Sequence, residues 1–229
     1  DILPPKDIDE TRANSQVPMD LESAAVQWLA QQSLIRKERS WAAQWMLTSV
    51  WGAADGTIGN KWSDYANSDP VANIMTGKRT ISQATGYQAN TIIMGEIVRD
   101  RAINHPDLLD RIKYVQAANL GNIDAALSAI FGMNVIVGSA IYNTANEAQT
   151  ASYSPIIDDD ILILYVEPQP RILSASAGYT FAWPGGGGAG VVMRNRLDAN
   201  DADLIKSKEQ WDFCQVASYL GYIYLDATD

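Results

Sequence analysis

From Leu21 to Leu47 the chain holds neither Gly nor Pro. That run constrains the fold more than any other stretch. Apolar groups recur in it at Leu21, Ala25, Trp28, Ile35, Ala42 and Trp45, close to helical spacing. Asp20 stands in an N-cap position, and Glu22 adds first-turn charge. One continuous helix of about 40 Å follows from the rise per residue. Its middle, Arg36-Lys37-Glu38-Arg39, reads as a solvated face.

Ahead of this helix, residues 1–19 are polar, aperiodic and carry Pro4, Pro5 and Pro18. They read as an arm or linker that leans on a neighbour. Residues 48–67 form an aromatic, turn-rich connection with Trp51, Trp62, Tyr65 and three glycines, Gly52, Gly56 and Gly59. Ser68-Asp69-Pro70 then supplies a cap and a first-turn proline, and Gly86 the stop, of a helix with Val71, Ile74, Met75 and Ile81 near one face. Thr91 to Met94 is strand-like, and Glu96 to Ile103 helical. Pro106 opens a short helix to Tyr114, capped by Asn104 or His105, with Asp107 in its first turn. Ile123, Ala126, Leu127, Ile130 and Phe131 mark another helix, with Asn122 before it and Gly132 after it. Val135-Ile136-Val137 and Ile161 to Val166 are continuous apolar runs, expected as central strands buried on both faces. Tyr179 to Trp183 and Phe213 to Leu225 complete the strand-like stretches. Helices and strands are interspersed, so the class is mixed α/β or α+β.

The chain has 229 residues and a net charge of −10. That balance argues against a nucleic-acid-binding surface, which needs clustered Lys and Arg. Seven Trp and ten Tyr against three Phe suit cores and subunit interfaces. Cys214 is the only cysteine, so no intrachain disulfide forms. Asn-x-Ser/Thr sites, a signal-peptide pattern and an apolar run of membrane-spanning length are all missing from the sequence. The start at Asp1 suggests a fragment, a processed form or the ordered part of something longer.

Candidate chemistry is thin. Gly185, Gly187 and Gly190 match a dinucleotide fingerprint in form, but Pro184 interrupts the turn and Val191-Val192-Met193 looks like strand. Thr76-Gly77-Lys78 lacks the rest of a phosphate loop. Asp158-Asp159-Asp160 lacks calcium-loop spacing and reads as a solvated turn. His105 is the only histidine and has no second His or cysteine cluster to work with, so it reads as a cap. Cys214, in an aromatic strand, is expected to be a small buried hydrophobe. No catalytic, cofactor-binding or metal-ligating residue is assigned, and a non-enzymatic role is expected.

Several segments come together in order. They are Trp41-Ala-Ala with Thr48-Ser-Val-Trp51, Trp62-Ser-Asp-Tyr-Ala-Asn-Ser-Asp-Pro70, Thr85-Gly-Tyr87 with Asn90-Thr91, His105 to Tyr114, Ala140-Ile-Tyr-Asn-Thr-Ala145 and Ser176-Ala-Gly-Tyr-Thr-Phe181. From Asp20 to the C-terminus the sequence resembles the major capsid proteins of tailed bacteriophages, which have the Hong Kong 97 capsid fold. The resemblance implies an α+β subunit with a long spine helix and a mixed central sheet flanked by helices. It implies a peripheral domain over 20–67, an axial domain over 68–216, and a last strand, 217–229, returning to the peripheral domain. It further implies a virion shell assembled in the bacterial cytoplasm. Its partners would be further copies in pentamers and hexamers, double-stranded DNA enclosed without sequence-specific binding, and scaffold, portal and decoration proteins. Cofactors and membranes have no part in it.

Two features depart from that family's pattern. Residues 1–19 are too short for both an N-terminal arm and an extended loop, so this stretch is expected to be a core of the subunit that does not form a stable shell by itself. Without the extended loop's lysine, a Lys–Asn crosslink is not carried over. The acidic balance fits a shell that must not condense on phosphate. An encapsulin-like nanocompartment is the alternative within structural proteins, and a carboxylate-based hydrolase or carbohydrate-binding module the alternative outside them.

Overall fold

The computed structural model describes residues 2–3, 21–52, 55–114, 123–146, 148–184, 190–197 and 202–229. The elements are mixed α and β, as the sequence suggests. In chain order the helices are α1 (Leu21–Trp45), α2 (Pro70–Thr85), α3 (Glu96–Asn104), α4 (Pro106–Tyr114) and α5 (Ile123–Phe131). The strands are β1 (Ile2–Leu3), β2 (Asp55–Thr57), β3 (Thr91–Gly95), β4 (Asn134–Gly138), β5 (Ile141–Asn143), β6 (Tyr153–Pro155), β7 (Ile161–Leu164), β8 (Gly178–Ala182), β9 (Val191–Leu197), β10 (Ala202–Lys208), β11 (Trp211–Gln215) and β12 (Gly221–Leu225). Asn122 and Asp20, expected as caps, lie outside the described residues.

The chain divides into two compact units. The sheet unit comprises Arg39–Tyr179 and Gln215–Asp229; the helix–hairpin unit comprises Asp1–Glu38 and Thr180–Cys214. These limits do not coincide with those drawn on the sequence at 67/68 and 216/217. Residues 180–214 group with the first part of α1, and residues 217–229 belong to the sheet unit.

In the sheet unit the order is β2-β12-β7-β3-β4. β12 runs parallel to β2 and antiparallel to β7, while β3 runs antiparallel to β7 and parallel to β4. The sheet is therefore mixed. Every residue of β7 is buried, as expected of an apolar run flanked by strands on both sides. β4 is different. It lies at the sheet edge and its residues are half-buried or exposed, so Val135-Ile136-Val137 is not the central strand expected. Continuous apolarity alone does not distinguish an edge from a centre. The strand-like stretch Phe213 to Leu225 holds the end of β11 and all of β12, separated by a 3₁₀ turn at Ser218–Leu220.

α2 begins as its residues dictate. The Asp69 carboxylate accepts the Ala72 N–H at 2.9 Å, and Pro70 fills the first turn. Gly86 ends the helix at φ 78°, a conformation a side chain would resist. α2 packs on β7 and β12. Ile74, Ile81, Val98, Leu108, Leu127 and Phe131 from α2 to α5 join Ile92, Met94, Ile161, Leu162, Ile163 and Ile223 in the core. Each such side chain contributes about 1.5–3 kcal/mol by burial. Gly221 lets β12 pass under Trp51, because a Cβ there would lie 2.0 Å from the indole ring.

In the helix–hairpin unit, β9 and β10 pair antiparallel in register from Ala202↔Leu197 to Lys208↔Val191, and β1 adds to β10. Arg194 of β9 bonds Asp203 of β10 at 2.8 Å and Glu22 of α1 at 2.9 Å. Most of β9 is exposed.

Candidate functional site

The chain's single histidine joins α3 to α4. Its backbone carbonyl accepts the N–H groups of Leu108 and Leu109, and its Nδ1 accepts the Asp107 N–H at 3.3 Å. That is the cap role expected of it. Nδ1 therefore carries no proton, and the network assigns the Nε2–H tautomer. Nε2 donates to Ser68 Oγ at 3.0 Å, and Ser68 Oγ donates to the Asp64 carbonyl at 2.7 Å. The Tyr65 ring meets the imidazole edge-on at 5.7 Å. His105 is fully buried. It is a core histidine as well as a cap, a part that its sequence neighbours alone did not disclose. No side chain around it offers a nucleophile with open access.

Asp158-Asp159-Asp160 is more than a solvated turn. Asp160 Oδ1 accepts the Asp226 N–H at 3.2 Å, and the Asp159 carbonyl accepts the Ala227 N–H at 2.8 Å. Lys61 grips the same C-terminal segment through Asp226 at 2.7 Å and Asp229 at 2.5 Å. Burial pushes the Asp160 carboxyl up to about 6, against the Asp226 N–H, which pulls it down. Burial also raises Asp159, whereas the hydrogen bonds from Lys61 hold Asp226 and Asp229 below the usual carboxylate range. The cluster is a clasp between the 158–160 turn, Lys61 and the chain's last residues. The signal for it was long-range: residues 66 to 168 positions apart, invisible to spacing. Among the described residues no grouping of His, Cys, Asp and Glu could hold a metal ion.

The remaining candidates resolve simply. Thr76, Gly77 and Lys78 lie inside α2, not in a loop, and Lys78 Nζ donates to the Phe131 carbonyl at 3.1 Å. Gly185 and Gly187 lie outside the described residues, and Gly190 leads into β9, the strand anticipated after it. Cys214 is exposed, not buried. Its neighbour Phe213 points inward, and strand alternation sends Cys214 the other way. No helix among the described residues is long and apolar enough to cross a membrane.

The helix–hairpin unit carries an open groove of about 830 Å³ between α1 (Leu29, Ser33, Arg36) and the strand residues Phe181, Trp183 and Trp211. Phe181 and Trp183 are exposed along it. Lys208, Glu209 and Asp212 line it as well, so the groove is a mixed apolar and charged contact surface.

Over 220 residues the chain is 26% identical to the major capsid protein of Burkholderia phage BcepMu, covering 93% of this chain and 68% of that protein. This chain is a relative of a phage major capsid protein. Its fold is shared with a phage-related protein from Bordetella bronchiseptica, at TM-score 0.76 and 21% identity, over 94% of this chain and 72% of that one. A chain from Mycobacterium phage Che8 also superposes, at TM-score 0.61 and 13% identity, over 100% of this chain and 70% of that one. No family model matches. The capsid resemblance read from the ordered segments is thus matched by an independent relative along nearly the whole chain.

Proposed function

We propose that this chain is a shell-forming subunit, the major capsid protein of a tailed-phage head or of a prophage-derived shell. The observation that carries the reading is the similarity to a phage major capsid protein over 93% of the chain. In this reading the fold is of the Hong Kong 97 type, with α1 as the spine helix and the five-stranded sheet with its helices as the axial core. The shell is icosahedral, is built from pentamers and hexamers in the host cytoplasm, and encloses double-stranded DNA. The work of the subunit is binding its own copies, without catalysis or cofactor. A charge of −10 keeps the shell from condensing on the phosphate it encloses. Shell stability comes from many repeated modest contacts.

Expression of the full-length gene product in bacteria, followed by electron microscopy and sedimentation, tests the proposal. Closed particles or capsomer rings are the expected result. A compact monomer under every assembly condition would overturn it.

A further inference from the structure

Among the described residues, the two most exposed large apolar side chains are neighbours: Ile172 at 95% and Leu173 at 101% of full exposure. They sit at the tip of the loop joining β7 to β8. Exposed apolar residues on a slack loop would mean little, but this loop is fastened. Its base is closed by the Ala177 N–H on the Tyr165 carbonyl at 3.0 Å. Asn90 bridges to both the N–H and the carbonyl of Val166, at 2.9 and 2.7 Å. At the tip the Ser174 N–H and Oγ both donate to the Arg171 carbonyl, at 3.2 and 2.8 Å. The Arg171 N–H returns to Ser174 Oγ at 3.1 Å, and Tyr179 OH meets the same oxygen at 3.0 Å. Leu173 is held at φ 70°, in the left-handed region that a leucine avoids. Backbone strain held by so many bonds, in order to present apolar side chains to water, points to a binding element. Its ordering cost is met in the fold and not at association.

The tip is also cationic. Arg171 lies beside Ile172, its guanidinium donating to Gln169 Oε1 at 3.0 Å. The same compact unit holds a recess of opposite sign. A cavity of about 370 Å³ is bounded by Asp69, Asp107, Asp110 and Arg111, three carboxylates against one guanidinium. Leu109, next to it on α4, is exposed. The recess and the loop lie at opposite ends of α2. Asp69 caps the start of that helix, while Tyr87, just past its end, packs on Tyr165 at the loop base with ring centres 4.9 Å apart. Sixteen helical residues separate them by about 24 Å. In the single chain the tip stands fully exposed, so a copy does not fill its own recess with its own loop.

We propose that the Arg171-Ile172-Leu173 tip of one copy seats in the Asp69–Asp107–Asp110 recess of the next, guanidinium on carboxylates and apolar side chains on Leu109. The occupant is a second copy of this chain, and the inference rests on the shell-forming reading. Net charge makes copies repel, so their contacts need local complementarity of this kind. A tip at one end and a receptor at the other give a head-to-tail contact, which closes into rings when the rotation allows.

Charge reversal tests it in the full-length product, with particle yield read by sedimentation and electron microscopy. Arg171→Glu and Asp110→Arg, each alone, lower the yield by about tenfold or more, and the pair together recovers most of it. Melting temperature is measured beside yield in all three, and a loss of yield beyond any change in melting separates lost docking from lost folding. In a Cys214→Ser background, Leu173→Cys with Leu109→Cys gives disulfide-linked ladders under mild oxidation. Parent particles with both single variants assembling normally and no ladder would overturn this contact and leave the capsid reading standing. A parent chain that never assembles would overturn both.

Discussion

The sheet unit and the helix–hairpin unit use the same residue types in opposite ways. In β7 all four of Ile161, Leu162, Ile163 and Leu164 are buried. In β9 Val191, Val192 and Met193 are exposed, as are Trp28 and Leu34 on α1 and Phe181 and Trp183 beside the groove. One unit closes its core with its own helices. The other buries little beyond Ala25, Ile205 and Phe213 among its described residues, whereas the sheet unit's outward apolar groups, Ile172 and Leu173 among them, stand outside a closed core. A subunit that finishes its core only in part and leaves the rest to assembly is consistent with the shell-forming reading.

The largest expected effect tests the closed side. Leu162→Ala removes a side chain from a core with no exposed edge there and costs about 3–4 kcal/mol in urea unfolding. Val192→Ala, on the exposed strand, costs under about 0.5 kcal/mol. Equal losses would break the contrast. Gly221→Ala comes next. Its new methyl meets the Trp51 ring, and overpacking there costs about 2–3 kcal/mol. Loss of the tryptophan's near-ultraviolet dichroism should accompany it.

His105→Ala ranks third, at about 2 kcal/mol. A cap alone is worth about 1 kcal/mol, and the buried imidazole adds its bond to Ser68 and its packing on Tyr65. A double-mutant cycle with Ser68→Ala separates the two parts. A total loss under 1 kcal/mol would return His105 to the cap role that its neighbours in sequence suggest.

That residue marks the limit of what sequence can disclose here. Local chemistry was legible: Asp69 and Pro70 at the start of α2, Gly86 at its end, Pro106 opening α4, the apolar spacing of α5. Each depends on groups within a few positions of one another. Ser68 beneath His105, 37 positions away, was not legible, nor was Lys61 reaching Asp229 across 168. β4 and β7 look alike as apolar runs, and only strand order makes one an edge and the other a centre. The place of β12 was hidden for the same reason, since pairing partners are set by topology and not by the strand's own residues. Six ordered segments nonetheless gave the capsid resemblance, because word order along a chain survives when individual spacings do not.

Asp160→Asn probes the clasp that ties the C-terminal segment to the sheet unit. In the fold the Asp160 carboxyl titrates at about 6, above its ordinary 3.8, so between those values the folded state holds more proton than the unfolded one. Its contribution to stability therefore falls as pH rises from 4 to 6. Asp226 and Asp229 act with the opposite sign: held low by Lys61, they stabilise above the usual carboxylate range and lose that contribution as pH falls through their folded values. The variant keeps an acceptor for the Asp226 N–H and removes the buried charge. It gains about 1 kcal/mol at pH 7, solvent screening taking the rest, and flattens the stability profile between pH 4 and 6. A destabilised variant would mean that the charge itself holds the clasp.

The smallest expected effect carries the most weight for the open side. Leu34 on α1 is 66% exposed in the single chain. Replacing it with Ser changes unfolding free energy by under about 0.5 kcal/mol, since almost no burial is lost. Particle yield is the quantity that should move. If assembly covers this face, Leu34→Ser lowers the yield while the melting curve stays put, and Trp28→Ser does so more strongly because an indole carries more area. If both variants assemble like the parent, the exposed apolar side chains of α1 stay in water in the particle as well. The open unit would then be open by tolerance, since isolated surface apolar residues are ordinary, and the contrast between the two units would belong to folding and not to assembly.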